Sequence, residues 1–249
     1  MKIVACVSHV PDTATRIKVG SDGKTIDPAG VTYIINPYDE YAVEEALKTK
    51  EKAGSGDVVI VTVGSENSKE TIRKALAMGA DSGILLKDDN QRDSLGIARA
   101  LAEEIKSQQA QLVFMGKQSV DYDNSIVGQL TAEILDYNCV AVCVKFDING
   151  DKIIAEREIE GGREIVETSL PVVITCQKGL NEPRYASLKG IMAAKKKTIE
   201  EKPAASYTSS SEIIGMHLPG GKQPGRIVGG DSSAVPELVR LLKEEAKVI

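Results

Sequence analysis

The first part of the chain alternates short apolar runs with amphipathic stretches, and no other feature limits the fold as tightly. "KIVACVS" (Lys2–Ser8), "DVVIVTVG" (Asp57–Gly64), "GILLK" (Gly83–Lys87) and "QLVFMG" (Gln111–Gly116) read as buried strands. Between them lie "DEYAVEEALKTKEKAG", "SKETIRKALAMGA" and "DSLGIARALAEEIKSQ", which carry apolar residues at helical spacing. In the first, Ala42, Val43, Ala46 and Leu47 share a face, while Glu44 and Lys48 stand one turn apart and are expected to pair. In the third, Ile97, Ala98, Leu101 and Ile105 repeat the pattern. Strands alternating with helices of this length call for right-handed crossovers. The expected fold is α/β, with a mostly parallel sheet covered on both faces.

After Asp136 the texture changes. "CVAVCVKFDI", "DKIIAEREIEGGREIVETSL" and "PVVITCQ" read as strands without intervening helices, and Gly161–Gly162 suits a tight hairpin turn. An antiparallel section is expected here. From Gly179 the chain becomes lysine-rich, then Ser/Pro/Gly-rich through "KPAASYTSSSE" and "HLPGGKQPGRIVGGD". Only "AVPELVRLLKEEAKVI" returns to a helical pattern, with Val235, Leu238, Val239 and Leu242 apolar. Such a tail is either disordered or an arm lying on a partner subunit. Apolar residues persist to Ile249, which favours the arm.

Composition excludes several function classes. A net charge of -5 gives no general attraction to nucleic acid or anionic membranes. With no Trp, two Phe and seven Tyr there is no aromatic platform for single strands. No run approaches the roughly 20 apolar residues of a membrane helix. The opening "MKIVACVS" resembles neither a secretory signal nor a transit peptide, so a bacterial-type cytoplasmic location is expected, or the mitochondrial matrix in a eukaryote. Cys6, Cys139, Cys143 and Cys176 all sit among apolar residues and are expected buried and reduced. Cys139 and Cys143 form a C-x3-C with no second pair or nearby histidine, so no metal site is expected. His9, placed in a loop, and His217, in the tail, are the only histidines, and no nucleophile–base pair is visible.

Open parallel sheets bind ligands beyond the carboxyl ends of their strands, near the topological switch point. Three junctions fall there: "SHVPDT", "INPYDE" and "GKQSVDYDNS". None matches G-x-G-x-x-G or G-x-x-x-x-G-K-[ST], so the dinucleotide and P-loop fingerprints are missing. The third junction offers backbone N–H groups opening a helix at about Asn124–Thr131, with the Ser125 and Thr131 hydroxyls beside them. Gly128 there would let a ligand or neighbouring chain approach closely. Asp121 and Asp123 disfavour free phosphate unless they face a ribose or cap the helix. From these residues alone, a nucleotide cradle and a simple capped loop both stand.

Five segments taken in order add a resemblance: "NPYDEYAVEEAL", "KETIRKALAMGAD", "GKQSVDYDNSIVGQLTAE", "REIEGGREIVETSLPVVIT" and "LNEPRYASLKGIMAAKKK". Together they are similar to the beta-subunit family of electron transfer flavoproteins, from the first strand to about Lys197. The resemblance implies a Rossmann-like adenine-nucleotide-binding domain over 1–180, a partner-recognition loop over 181–197 and a C-terminal arm over 198–249 that packs on an alpha subunit. It implies an electron carrier rather than an enzyme, with FAD held mainly by the alpha subunit and a structural AMP in this chain. Electrons would pass from dehydrogenases of the fatty-acid β-oxidation type to an acceptor quinone oxidoreductase.

Carried over by position, the AMP site comprises Cys6, Asn36, Pro37, Tyr38, Asp39, Val63, Val120, Asp121, Tyr122, Asp123, Asn124, Ser125, Ile126, Val127, Gly128, Gln129, Leu130 and Thr131. Asn36 is expected to face the base, with Pro37 fixing the turn. Thr13 and Tyr38 would approach the flavin. Here the chain departs from the family pattern: "SHVPDT" has Ser8 and His9 where basic residues are frequent, and Thr13 where some members have an aromatic. Leu188 would anchor partner dehydrogenases, with Tyr185 beside it and Arg184 and Lys189 as a charged rim. A core leucine is its alternative. Two rival readings accompany this one. A bifurcating relative would bind a second, redox-active FAD in place of AMP, although Tyr122, Gln129 and Leu130 are bulkier than its pattern favours. An adenine-nucleotide hydrolase or ligase should show an S-G-G-x-D-S loop, which "CVSHVPDT" lacks.

Overall fold

The computed structural model describes residues 1–221 and 224–249. In chain order its strands and helices are β1 (Lys2–Cys6), β2 (His9–Pro11), β3 (Tyr33–Ile35), α1 (Pro37–Ala53), β4 (Asp57–Gly64), α2 (Lys69–Met78), β5 (Ser82–Lys87), α3 (Ser94–Ser107), β6 (Leu112–Gly116) and α4 (Val127–Leu135). There follow β7 (Asn138–Asn149), β8 (Lys152–Ile159), β9 (Gly162–Ser169), β10 (Val172–Cys176), α5 (Leu188–Ala194), β11 (Ile199–Pro203) and α6 (Val235–Glu244).

One nine-stranded sheet organises the molecule, in the order β11-β5-β4-β1-β6-β10-β7-β8-β9. Its pairings are parallel from β11 to β7, and β8 and β9 extend it antiparallel. Alternation along β1 sends Ile3 and Ala5 to one core and Val4 and Cys6 to the other. The first core holds Ala42, Val43, Ala46 and Leu47 of α1 with Ile72 and Leu76 of α2. The second holds Leu101 and Ile105 of α3 with Ala132 of α4. Both faces of the strands are therefore covered, as a continuously apolar strand demands. Successive strands run outward from β1 through β4 to β5; the chain then crosses back to β6, on the other side of β1. The switch point lies between the carboxyl ends of β1 and β6.

Several expectations need correction. The tight turn is Glu160–Gly161, with Gly161 at φ 78°, and Gly162 already belongs to β9. The Glu44–Lys48 pair does not form: Arg184 takes Glu44 at 2.8 Å, and Lys48 reaches Glu45 at 4.0 Å. His9 sits in β2, stacked on Tyr33 and 2.7 Å from the Thr71 hydroxyl. Cys139 is exposed, because Asn138 and Cys139 open a sheet strand whose ends are uncovered. Residues expected to begin the arm at 198 instead form β11, an edge strand paired to β5. Beyond it, α6 buries none of its residues and leaves Val235, Leu238 and Val239 exposed.

Candidate functional site

At the switch point the first turn of α1 ties two strand ends together. Asp39 is 4% exposed, and its carboxylate accepts the Ser8 N–H at 2.7 Å and the Gly116 N–H at 3.0 Å. Only glycine fits at 116, since a Cβ there would collide with Asp39 Oδ1 and lie 2.8 Å from Tyr38 Cβ. Burial pushes the Asp39 carboxyl up to about 7, against the opposing hydrogen bonds from Asn36, Ser8 and Gly116. Pro37 opens α1 without needing an N–H partner. Asn36, expected to face a base, is not among the residues lining the cavity beyond these strand ends. It is fully buried, donating from Nδ2 to Gln118 O at 2.8 Å and accepting the Val120 N–H at 3.2 Å. Its role is to clamp the loop after β6.

Beyond these strand ends lies a cavity of about 1190 Å3. Of the expected nucleotide residues, Cys6, Asp39, Val63, Asp121, Tyr122, Asn124, Ser125, Ile126, Val127, Gly128 and Leu130 line it. Asn36, Pro37, Tyr38, Val120, Asp123, Gln129 and Thr131 are not among its lining residues. Residues that sequence reasoning missed complete it: Asp22, Lys24 and Thr25 on one side, Gln91–Leu95 on another, and Thr208–Ile213 across the top. These stretches carry no motif, and they lie far from the "GKQSVDYDNS" loop in the chain.

The polar groups of that loop largely shape the loop itself. Gln118 Nε2 donates to Asp123 at 2.6 Å, Ser125 Oγ donates to Gln118 Oε1 at 2.9 Å, and Asn124 Nδ2 reaches Ser94 Oγ at 3.0 Å. Tyr122 OH accepts from Gln91 Nε2. Asp123 and Ser125 take positive φ, 52° and 50°, so the chain cannot enter a helix at Asn124. Helix α4 starts at Val127, and no side chain among the described residues caps it. The capped-loop reading therefore fails, and the uncapped first turn of α4, at Val127 and Gly128, lies on the cavity wall. Thr131 is not available to a ligand: its hydroxyl donates to Val127 O at 2.8 Å inside the core. Gly128 serves packing, because a Cβ there would run into Thr175 Cγ2 of β10.

The two residues expected near flavin stand outside this cavity. Thr13 is exposed in the turn after β2, and Tyr38 is half-buried with the Lys117 ammonium 5.2 Å from its ring centroid. At the far end of α1, Arg184 is not a free rim residue. Its guanidinium spans Glu44, at 2.8 Å from Nε, and Glu51, at 2.6 Å from Nη1, which holds the 181–187 stretch onto the helix. These carboxylates raise the Arg184 pKa further. That clamp leaves Tyr185 99% and Leu188 84% exposed, so the core-leucine alternative is wrong. Lys189 is exposed beside them. No group of three or more potential metal ligands occurs among the described residues, and no described helix is long and apolar enough to cross a membrane.

Comparison with known proteins gives the family. The electron transfer flavoprotein domain matches residues 24–207. The electron transfer flavoprotein subunit beta of Syntrophomonas wolfei is 41% identical over 249 residues, covering all of this chain and 98% of its own. That of Bradyrhizobium diazoefficiens is 39% identical with both chains fully covered, and that of Mus musculus is 39% identical over 100% and 99% of the two chains.

Proposed function

The chain belongs to the electron transfer flavoprotein family, on its beta-subunit side, and we propose that it holds AMP in the switch-point cavity while an alpha subunit holds most of the FAD. One observation carries this reading: the cavity at the ends of β1 and β6 has the uncapped N-terminus of α4 in its wall. Such a helix end offers unpaired N–H groups and a positive dipole to a phosphate. Val63, Ile97 and Leu101 give the same cavity an apolar side suited to a base. Asp121 lines it too, and in this reading its carboxylate accepts from ribose hydroxyls. The residues present therefore fit a nucleotide.

FAD, when bound, supplies the reversible electron uptake of the carrier. This chain contributes position. Thr13 and Tyr38 stand on the β2–α1 side, where they would meet a flavin held by the alpha subunit. Leu188, at the start of α5, is the anchor for partner dehydrogenases, with Tyr185 and Lys189 around it and Arg184 holding the loop in place. An acceptor quinone oxidoreductase completes the route. The exposed apolar side of α6 is the part of the arm that meets the alpha subunit. A second FAD in the same cavity is the rival reading, and one observation favours it. About 1190 Å3 exceeds the roughly 300–1,000 Å3 usual for a small-molecule site.

Expression of the chain without an alpha subunit separates the two. The AMP reading predicts a protein with no flavin absorbance that becomes stably yellow only with its partner. Stoichiometric flavin in the chain alone would reject it in favour of the second FAD.

A further inference from the structure

The α/β core does not close the cavity by itself. Its outer wall is Thr208–Ile213, a stretch of the C-terminal segment that follows β11. Arg92 Nη2 donates to Ala205 O at 2.6 Å and fixes the point where this stretch leaves the sheet. Asp93 then holds it. One carboxylate oxygen caps α3 by accepting the Gly96 N–H at 2.8 Å. The other accepts Ser210 N–H at 2.6 Å, Ser211 N–H at 3.1 Å and the Tyr207 hydroxyl at 3.3 Å. The Tyr207 ring lies on Gly96, where any Cβ would strike it, and the Arg99 guanidinium stands 5.6 Å from the ring centroid. On the opposite side of the mouth, Glu212 pairs with Lys24 at 2.7 Å and Met216 N–H donates to Gly23 O at 2.7 Å. The segment is thus tied at both ends and passes over the opening. Few of its side chains are buried, and Ile214 is 88% exposed. Hydrogen bonds hold it rather than core packing, which is the character of a segment that opens locally at low cost.

We propose that Thr208–Ile213 is the closing wall of the nucleotide site, latched by Asp93, and that the segment must leave Asp93 before a nucleotide can enter or escape. The inference rests on the reading of this cavity as a nucleotide site. It makes Asp93 and Tyr207 positioning residues for a ligand they do not need to touch. Binding and closure are then linked. If closure retains the nucleotide, the nucleotide must in turn hold the segment closed, by the same free energy.

The test uses the heterodimer and labelled AMP. Asp93→Ser keeps an oxygen to cap α3 but removes the one that holds Ser210 and Ser211. Tyr207→Ala removes the contact with Gly96 from the tail side and leaves the helix cap alone. Both should release AMP at least tenfold faster than wild type, with melting temperatures close to it. Amide exchange across 208–213 should slow when AMP is added to wild type and respond much less in either variant. Equal release rates in wild type and both variants, or exchange across 208–213 indifferent to AMP, would overturn the latch while leaving the nucleotide site standing. Wild-type heterodimer that binds no AMP would reject the nucleotide reading itself, and the latch with it.

Discussion

Asp39 shows how one almost fully buried side chain sets the geometry of a site. Its two oxygens join the ends of β1 and β6 through Ser8 and Gly116. In Asp39→Asn, the amide NH2 must face one of those N–H groups, leaving a buried donor unmet at a cost of about 1–3 kcal/mol. The pH dependence has a definite sign. Burial lifts the folded carboxyl from 3.8 to about 7, so the folded chain holds the extra proton between those values. Its contribution to stability is greatest at low pH and is lost as pH rises through 7. Urea unfolding of both proteins at pH 5 and pH 8 should show the gap between them narrowing at the higher pH. A gap that does not change between pH 5 and pH 8 would mean an Asp39 ionised throughout. Gly128 makes the complementary point. Gly128→Ala drives a methyl into Thr175, and overpacking of this kind costs about 1–3 kcal/mol by thermal or urea unfolding. The need for glycine was legible in the sequence. What it approaches was not, because β10 comes to α4 only through the sheet order, and nothing local to "SIVGQL" announces Thr175.

At the scale of elements, periodicity carried far. Strand β4 has the predicted bounds, and the four apolar residues of α1 meet one core. Boundaries failed where loop chemistry overrode the pattern, as at α4, which begins three residues late because Asp123 and Ser125 are left-handed. The same holds for β11, whose "IEEKP" lacks a strand's apolar alternation and is recruited by the free edge of β5. The 181–194 segment illustrates the other gap. Its exposed leucine follows from the Arg184 clamp on α1, a contact 140 residues apart. A double-mutant cycle on Arg184→Met and Glu44→Gln should give a coupling of about 0.5–3 kcal/mol. Additive effects would mean the clamp is only apparent. Leu188→Ala should leave the melting temperature nearly unchanged, since surface substitutions usually fall within about 0.5 kcal/mol. Docking to a partner dehydrogenase should weaken roughly thirtyfold, the equivalent of about 2 kcal/mol for a hot spot. A destabilised variant with normal partner kinetics would reject the anchor.

Considered whole, the molecule is a sheet with a cavity at its switch point, an exposed Tyr185–Lys189 stretch at one end of α1 and a C-terminal segment that lines the cavity before ending in the unburied α6. On the proposed reading, this segment, which the sequence presents as one polar tail, joins two tasks: closing the cavity and meeting the alpha subunit. The central claim is the identity of what the cavity holds. Heterodimer purified under native conditions and then denatured should release AMP and FAD in equal amounts, one of each per pair of subunits, separable by mass and by the visible absorbance that only FAD carries. Two FAD and no AMP per heterodimer would contradict the account and make this chain the carrier of a second redox flavin.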